Sequence, residues 1–295
     1  MSAFRGGSRR RIEADIMPSS RFGALWLVLL LWGAARATPV DDGTPPPPPP
    51  SIPSPITDHL ALTAGFYWGH VNTFGQFNSG NGLPGTTLTA ERDLGLTNQV
   101  YQPRFELMFR LQQRGRLRVN FFDLRRGGEQ QLDSKIQFGD QTFQAGQLVQ
   151  SNINWRQMDL TYTYSFLRGE RYELGAGLGV HLLEAQATAQ IPGTAQRTDY
   201  SQAAPFASVA LDGTYLIDRH WSFNARAQYL RLTVGDFTGL LDDYHADLQY
   251  RWRRNLAFGV SYDYAQDEVD VRNQDPSGVL KLTFTGPELF VRLSY

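Results

Sequence analysis

From residue 57 to the C-terminus, apolar and polar residues alternate with period two, the pattern of strands with two unlike faces. The clearest run is 158–166. Met158, Leu160, Tyr162, Tyr164 and Phe166 share one face; Asp159, Thr161, Thr163 and Ser165 share the other. Phe105, Leu107, Phe109 and Leu111 likewise oppose Arg104, Glu106, Met108 and Arg110. Leu256, Phe258, Val260, Tyr262 and Tyr264 oppose Ala257, Gly259, Ser261 and Asp263. The pattern predicts ten strands, near 58–70, 100–112, 115–126, 152–167, 171–186, 203–217, 220–234, 243–252, 255–269 and 279–295. Two stretches fit less simply. Residues 86–96 read either as a strand outside the main sheet or as part of an extra pair. Residues 136–143 read as a small hairpin. In the last strand the apolar parity switches between Leu280-Leu282-Phe284 and Leu289-Val291-Leu293, and Gly286-Pro287 is the natural place for a bulge.

Alternation alone also suits a soluble sandwich. Three features favour a membrane barrel. Tight charged turns at 113–116, 167–170, 217–220 and 252–255 alternate with longer polar loops near 127–148, 187–201, 235–242 and 271–278. Aromatic residues crowd the tight turns: Phe166 with Tyr172, Tyr215 with Trp221, Trp252 with Phe258. Such rings favour the headgroup level. The chain also ends on a strand with a terminal aromatic. After residue 57 no apolar stretch is long enough for a membrane helix. A spanning sheet must then close on itself, because hydrocarbon offers nothing to a free N–H or C=O. The expected fold is all-β: a closed antiparallel transmembrane β-barrel of about ten strands, with eight or twelve as alternatives, in the outer membrane of a Gram-negative cell.

The N-terminal region reads differently. Arg21 precedes the apolar run Ala24–Trp32, and Ala35-Arg36-Ala37 gives the small-x-small pattern of signal cleavage. Residues 1–37 are therefore expected to be a signal peptide cut after Ala37, with Met17 as a possible true start. Residues 38–57, with prolines 45–50, 53 and 55, form a stiff periplasmic linker in this reading. The barrel takes 58–295.

Composition narrows the functions. A net charge of −1 gives no footing for nucleic acid. With no cysteine there are no disulfides and no thiolate metal sites. The histidines at 59, 70 and 181 are isolated, so neither metal nor cofactor is expected.

The ending resembles the C-terminal signal read by the barrel assembly machinery, through Gly286, Leu289, Val291, Leu293 and the final Tyr295. Tyrosine replaces the usual phenylalanine. The segments GTTLTAERDLGL (85–96), IQFGDQTF (136–143), LTYTYSF (160–166) and ELGAGLGVH (173–181) resemble small outer-membrane barrels of the OmpA/OmpW type, over about residues 58–295. That resemblance implies lipid, lipopolysaccharide and the assembly machinery as partners. It brings no catalytic residues.

The polar face carries Arg104, Glu106, Arg110, Arg118, Asp159, Glu173, Asp212, Arg226, Asp247, Arg251, Asp263, Glu288 and Arg292. In a narrow lumen such charges must pair. A plug of ion pairs is the expectation, and a narrow charged pore the alternative. Asp243-Tyr244-His245, placed at an outer strand end, is similar to the Asp-x-His of omptin proteases, but lacks a convincing second aspartate pair; Glu268-Val269-Asp270 is a poor substitute. His220-Trp221-Ser222 has the His-x-Ser spacing of lipid A deacylases, yet falls at a tight turn on the wrong side for that substrate. The expected role is structural or surface interaction, without catalysis.

Overall fold

A computed structural model describes residues 54–79, 84–272 and 277–295, and the side chains of these except at 202, 204 and 234. The expected signal peptide with Ala35 and Ala37, and the expected linker up to residue 53, lie outside the described residues. The elements are β1 (Leu60–Phe77), β2 (Leu88–Thr89), α1 (Ala90–Asp93), β3 (Gln99–Leu111), β4 (Gly115–Gln131), β5 (Ile136–Phe138), β6 (Gln141–Phe143), β7 (Leu148–Arg168), β8 (Tyr172–Gln190), β9 (Arg197–Leu216), β10 (Trp221–Val234), β11 (Phe237–Arg253), β12 (Leu256–Val271) and β13 (Gly278–Ser294). No helix among the described residues is long and apolar enough to cross a membrane.

Ten strands pair antiparallel in the order β13-β12-β11-β10-β9-β8-β7-β4-β3-β1, and β13 pairs back onto β1. The sheet therefore has no outer edge, which is what a strand structure in lipid requires. β2 adds a short pairing to β1, and β5–β6 form a separate hairpin. The tight turns lie at one end, with the residues just before β1 and the end of β13. Asp218 closes one of them by accepting the N–H groups of His220 (2.7 Å) and Trp221 (2.8 Å).

The two faces exchange character partway along the strands. On β7, Met158, Leu160, Tyr162, Tyr164 and Phe166 point outward and are exposed, while Asp159, Thr161, Thr163 and Ser165 are buried inside. Further from the turns, Asn152, Asn154 and Arg156 point outward, and Val149, Ile153 and Trp155 are buried inside. On β8 the outer face runs Leu178, Val180, Leu182, then Glu184, Gln186, Thr188. The inner face runs Glu173, His181, then Leu183, Ala185, Ala187. The lower half is apolar outside and polar inside, as for a barrel in lipid. The upper half is polar outside and apolar inside, as for a protein in water.

This exchange corrects two expectations. Residues 127–131, 187–190, 197–201 and 237–242, within stretches expected to be loop, are strand, because the barrel continues into water beyond the apolar band. The parity switch in β13 is not a bulge either. Its register with β12 is unbroken, and Leu280, Leu282 and Phe284 lie on the same inner face as Glu288. They point inside because the upper lumen is apolar.

Three prolines mark gaps in the ladder. β3 pairs with β4 only from Phe105, leaving Pro103 on a free stretch. β9 and β10 part above Val209 and Tyr229, leaving Pro205 likewise free on that side. The β1–β13 ladder skips Trp68 and Gly69, across from Pro287 and Gly286. Proline has no N–H to give, so it sits where no partner asks for one.

The upper lumen is closed from within. Phe77 packs on Phe138 of the hairpin at 4.5 Å and on Tyr200 at 4.6 Å. Leu88, Ala90, Leu94 and Leu96 join the same apolar cluster. Glu91 of α1 accepts from Arg126 at 2.6 Å and from the Thr73 N–H at 3.0 Å.

Candidate functional site

The lower lumen holds the polar chemistry, and its ion pairs stack in levels. Nearest the turns, Arg251 grips Asp58 through both carboxylate oxygens, at 2.6 and 3.1 Å, and donates to Ser294 Oγ at 2.9 Å. Arg292 stands 3.6 Å from the same aspartate. Across the barrel Arg110 grips Glu173 at 2.7 and 3.0 Å. Ser165 Oγ donates to Glu173 at 2.5 Å. One level up, Arg116 and Arg118 each donate to Asp212 at 2.6 Å, with Thr163 Oγ adding a third bond at 3.0 Å.

The next level centres on His245. Its Nδ1 lies 2.7 Å from Asp263 and its Nε2 3.1 Å from Asp247. Arg104 donates to Asp263 at 2.7 Å and stands 3.6 Å from Glu288. Arg226 donates to Glu106, and Asn224 to Asp247 at 2.6 Å. A second hydrogen-bonded cluster lies beside it. His181 bonds Ser208 and Gln228 through Nε2, both at 3.0 Å, while Gln157 Nε2 meets its Nδ1 at 3.2 Å. Asn120 donates to Asp159 at 2.8 Å. A cavity of about 50 Å³ lies among the charged levels, room for a few waters.

The thirteen charges singled out from the sequence all project into this lumen. Sequence reasoning missed Asp58, Arg116 and Arg126, all buried. Arg116 was legible, since it stands two residues before Arg118 and shares its face. Asp58 was not: within a strand read from 58 it shares the outer face of Leu60 and Leu62, and only the start of β1 at Leu60 frees it to turn inside. Arg126 answers α1, whose packing inside the barrel no period reveals. Asp267, on the upper inner face of β12, has an Oδ2 without a hydrogen-bond partner.

One candidate pair stands elsewhere than the sequence placed it, and the other stays at its tight turn but forms no pair. His245 is not at an outer strand end: β11 runs from Phe237, and the imidazole is enclosed at mid-barrel. Glu268 and Asp270 are on the opposite, outer face. His220 stacks on Tyr250, ring centroids 5.7 Å apart, and Ser222 Oγ has no hydrogen-bond partner, so no His–Ser pair forms. No cluster of His, Asp or Glu able to hold a metal occurs among the described residues.

A closed sheet with a lipid-compatible outer band and a paired, polar interior defines an integral barrel of the outer-membrane type. Comparison with solved structures agrees. The outer-membrane protease OmpT of Escherichia coli superposes with a TM-score of 0.53, at 11% identity, over 80% of this chain and 97% of that one. OprG of Pseudomonas aeruginosa matches at 10% identity over 81% and 96% of the two chains, with a TM-score of 0.34. Ail of Yersinia pestis matches at 11% identity over 79% and 99%, with a TM-score of 0.30. At such identity only the fold is shared, and the two lower scores add nothing to it. No family model matches the sequence, and no curated protein matches it.

Proposed function

We propose that this protein is a sealed outer-membrane barrel that acts through its outer surface, with no solute flow through its lumen. The observation that carries the reading is the filling of the lumen at successive heights. Paired arginines and carboxylates fill the lower half. An apolar core with α1 and the β5–β6 hairpin fills the upper half. The barrel wall above the apolar band presents Asp123, Arg125, Arg156 and Glu184 outward. These charges suit contact with lipopolysaccharide headgroups or with molecules outside the cell. The motif resemblance to OmpA/OmpW-type barrels fits a scaffold of this kind. No residue is assigned a catalytic role, since the His245 cluster is enclosed and each ring nitrogen is already engaged.

The test is purified full-length protein in planar lipid bilayers. The expected record is a baseline without stable steps. A steady, ohmic conductance in salt would overturn the reading and return the narrow channel.

A further inference from the structure

The segment before β1 does not lie outside the barrel. Residues Pro55–Asp58 enter the mouth at the turn end, and four arginines hold them there. Arg110 Nε donates to the Asp58 carbonyl at 3.0 Å, and its Nη2 reaches the Pro55 carbonyl at 3.3 Å. Arg168 Nη2 donates to the Ile56 carbonyl at 2.9 Å. Arg251 takes the Asp58 carboxylate in a two-point grip, with Arg292 beside it. Ile56 is 3% exposed, and Pro55 lines the floor of the charged cavity. Bonds to three main-chain carbonyls, one buried aliphatic side chain and one buried carboxylate are the marks of peptide recognition. The outlay is also specific. Arg251 is fully enclosed, and burying a guanidinium needs a partner in place.

We infer that the periplasmic mouth of the barrel is a peptide-binding site, occupied in cis by Pro55–Asp58, which makes this segment a tethered stopper. The ligand class is a short segment folded in a turn, closed here by the Thr57 and Asp58 N–H groups on the Ser54 carbonyl, with an aliphatic residue two positions before an aspartate. The inference rests on the reading of a sealed barrel and adds the part that closes its lower end. The stopper is joined to β1 by a single residue, His59, whose N–H is bonded to the Tyr295 carbonyl at 2.8 Å. It therefore stays at the mouth even when its arginine contacts are broken. Releasing it exposes the cavity that Thr63, Arg104 and Asn120 line above it.

Because the chain has no cysteine, one introduced thiol reports on the cavity without background. The reporter is Thr63→Cys in the full chain, in detergent micelles, challenged with a small charged methanethiosulfonate and followed by mass spectrometry. The expected result is slow labelling with the native stopper and labelling about tenfold faster or more with Asp58→Asn added. Heat-modifiable gel migration must show that the barrel is intact. Should Asp58→Asn fail to fold, Arg168→Ala serves instead, since it removes one rim contact to the Ile56 carbonyl. A several-fold acceleration is expected there. Slow labelling in every folded variant would overturn the stopper and leave the sealed barrel standing. Fast labelling already with the native stopper, together with steady bilayer conductance, would overturn both.

Discussion

Glu173 on β8 holds Arg110 on β3 through both carboxylate oxygens, at 2.7 and 3.0 Å, with neither side chain more than 1% exposed. The two strands are not neighbours in the wall, so the pair spans the lumen. Removing one partner leaves a buried charge unanswered, which costs about 3–5 kcal/mol. Replacing both by apolar residues of similar volume avoids that cost. Glu173→Leu is thus expected to destabilise the barrel more than Arg110→Met with Glu173→Leu together. Urea unfolding from lipid vesicles measures each. A double variant weaker than either single would mean the pair contributes net stability.

The exchange of faces on β7 places a boundary between Arg156 and Met158. Tyr162, 43% exposed, lies in the apolar band; Asn154 lies above it. Tyr162→Arg is expected to cost about 2–4 kcal/mol and Asn154→Arg almost nothing. Equal losses at the two sites would move the boundary and undo the account of a barrel that rises out of the membrane. The same unfolding assay in vesicles decides.

Gly128 on β4 meets Gly95 backbone to backbone where residues 94–98 fill the gap between β3 and β4. A Cβ on Gly128 would stand 2.3 Å from the Gly95 carbonyl oxygen, and Gly95 itself has φ +68°. Neither side can yield without moving main chain. Gly128→Val is expected to expel the segment from the upper lumen while leaving the lower levels in place. Limited proteolysis should then cut within 84–98 in the variant and spare the native chain. Equal resistance in both would show that the gap is more accommodating than the geometry implies.

The pattern of two unlike faces was enough to read ten strands and the inner position of the charges, because side-chain alternation carries both. What it could not carry was the level at which the faces exchange. Leu280, Leu282 and Phe284 looked like a parity error only because the inside was assumed polar throughout. The alanine, threonine and glutamine at 187–190 looked like loop, since small inner residues opposite polar outer ones give weak contrast. In the sequence Pro287 reads as a bulge and Pro103 and Pro205 carry no reading at all, because which edge a proline leaves free depends on pairing. His245 seemed to be at a rim because the strand's upper third was read as loop.

Asp218 offers a pH test outside the membrane. The N–H groups of Trp221 and His220, both bonded to its carboxylate, hold its pKa below the ordinary value. A depressed folded pKa contributes stability above the unfolded pKa, about 4, and that stability is lost as pH falls through the folded value. The gap in stability between the native chain and Asp218→Ala should therefore be full at neutral pH and shrink below about pH 4. A gap that stays constant down to pH 2 would mean the carboxylate charge is irrelevant to the turn.

Tyr295 separates what the last residue does for the sheet from what it does for assembly. Its side chain is 88% exposed, on the outside of the barrel. Its backbone joins the two ends of the sheet: the carbonyl accepts from His59 (2.8 Å) and Leu60 (3.0 Å), and its N–H donates to the Leu60 carbonyl at 2.8 Å. Deleting Tyr295 removes all three bonds, whereas Tyr295→Asp keeps the backbone and changes only the ring. In vesicles, with no assembly machinery present, Tyr295→Asp should refold nearly as well as the native chain, and the deletion less well. In cells, both are expected to lower outer-membrane yield on the proposal that the terminal ring is part of an assembly signal. A Tyr295→Asp protein with normal cellular yield would mean that the terminal ring is not part of that signal, and that the residue matters here only through its backbone.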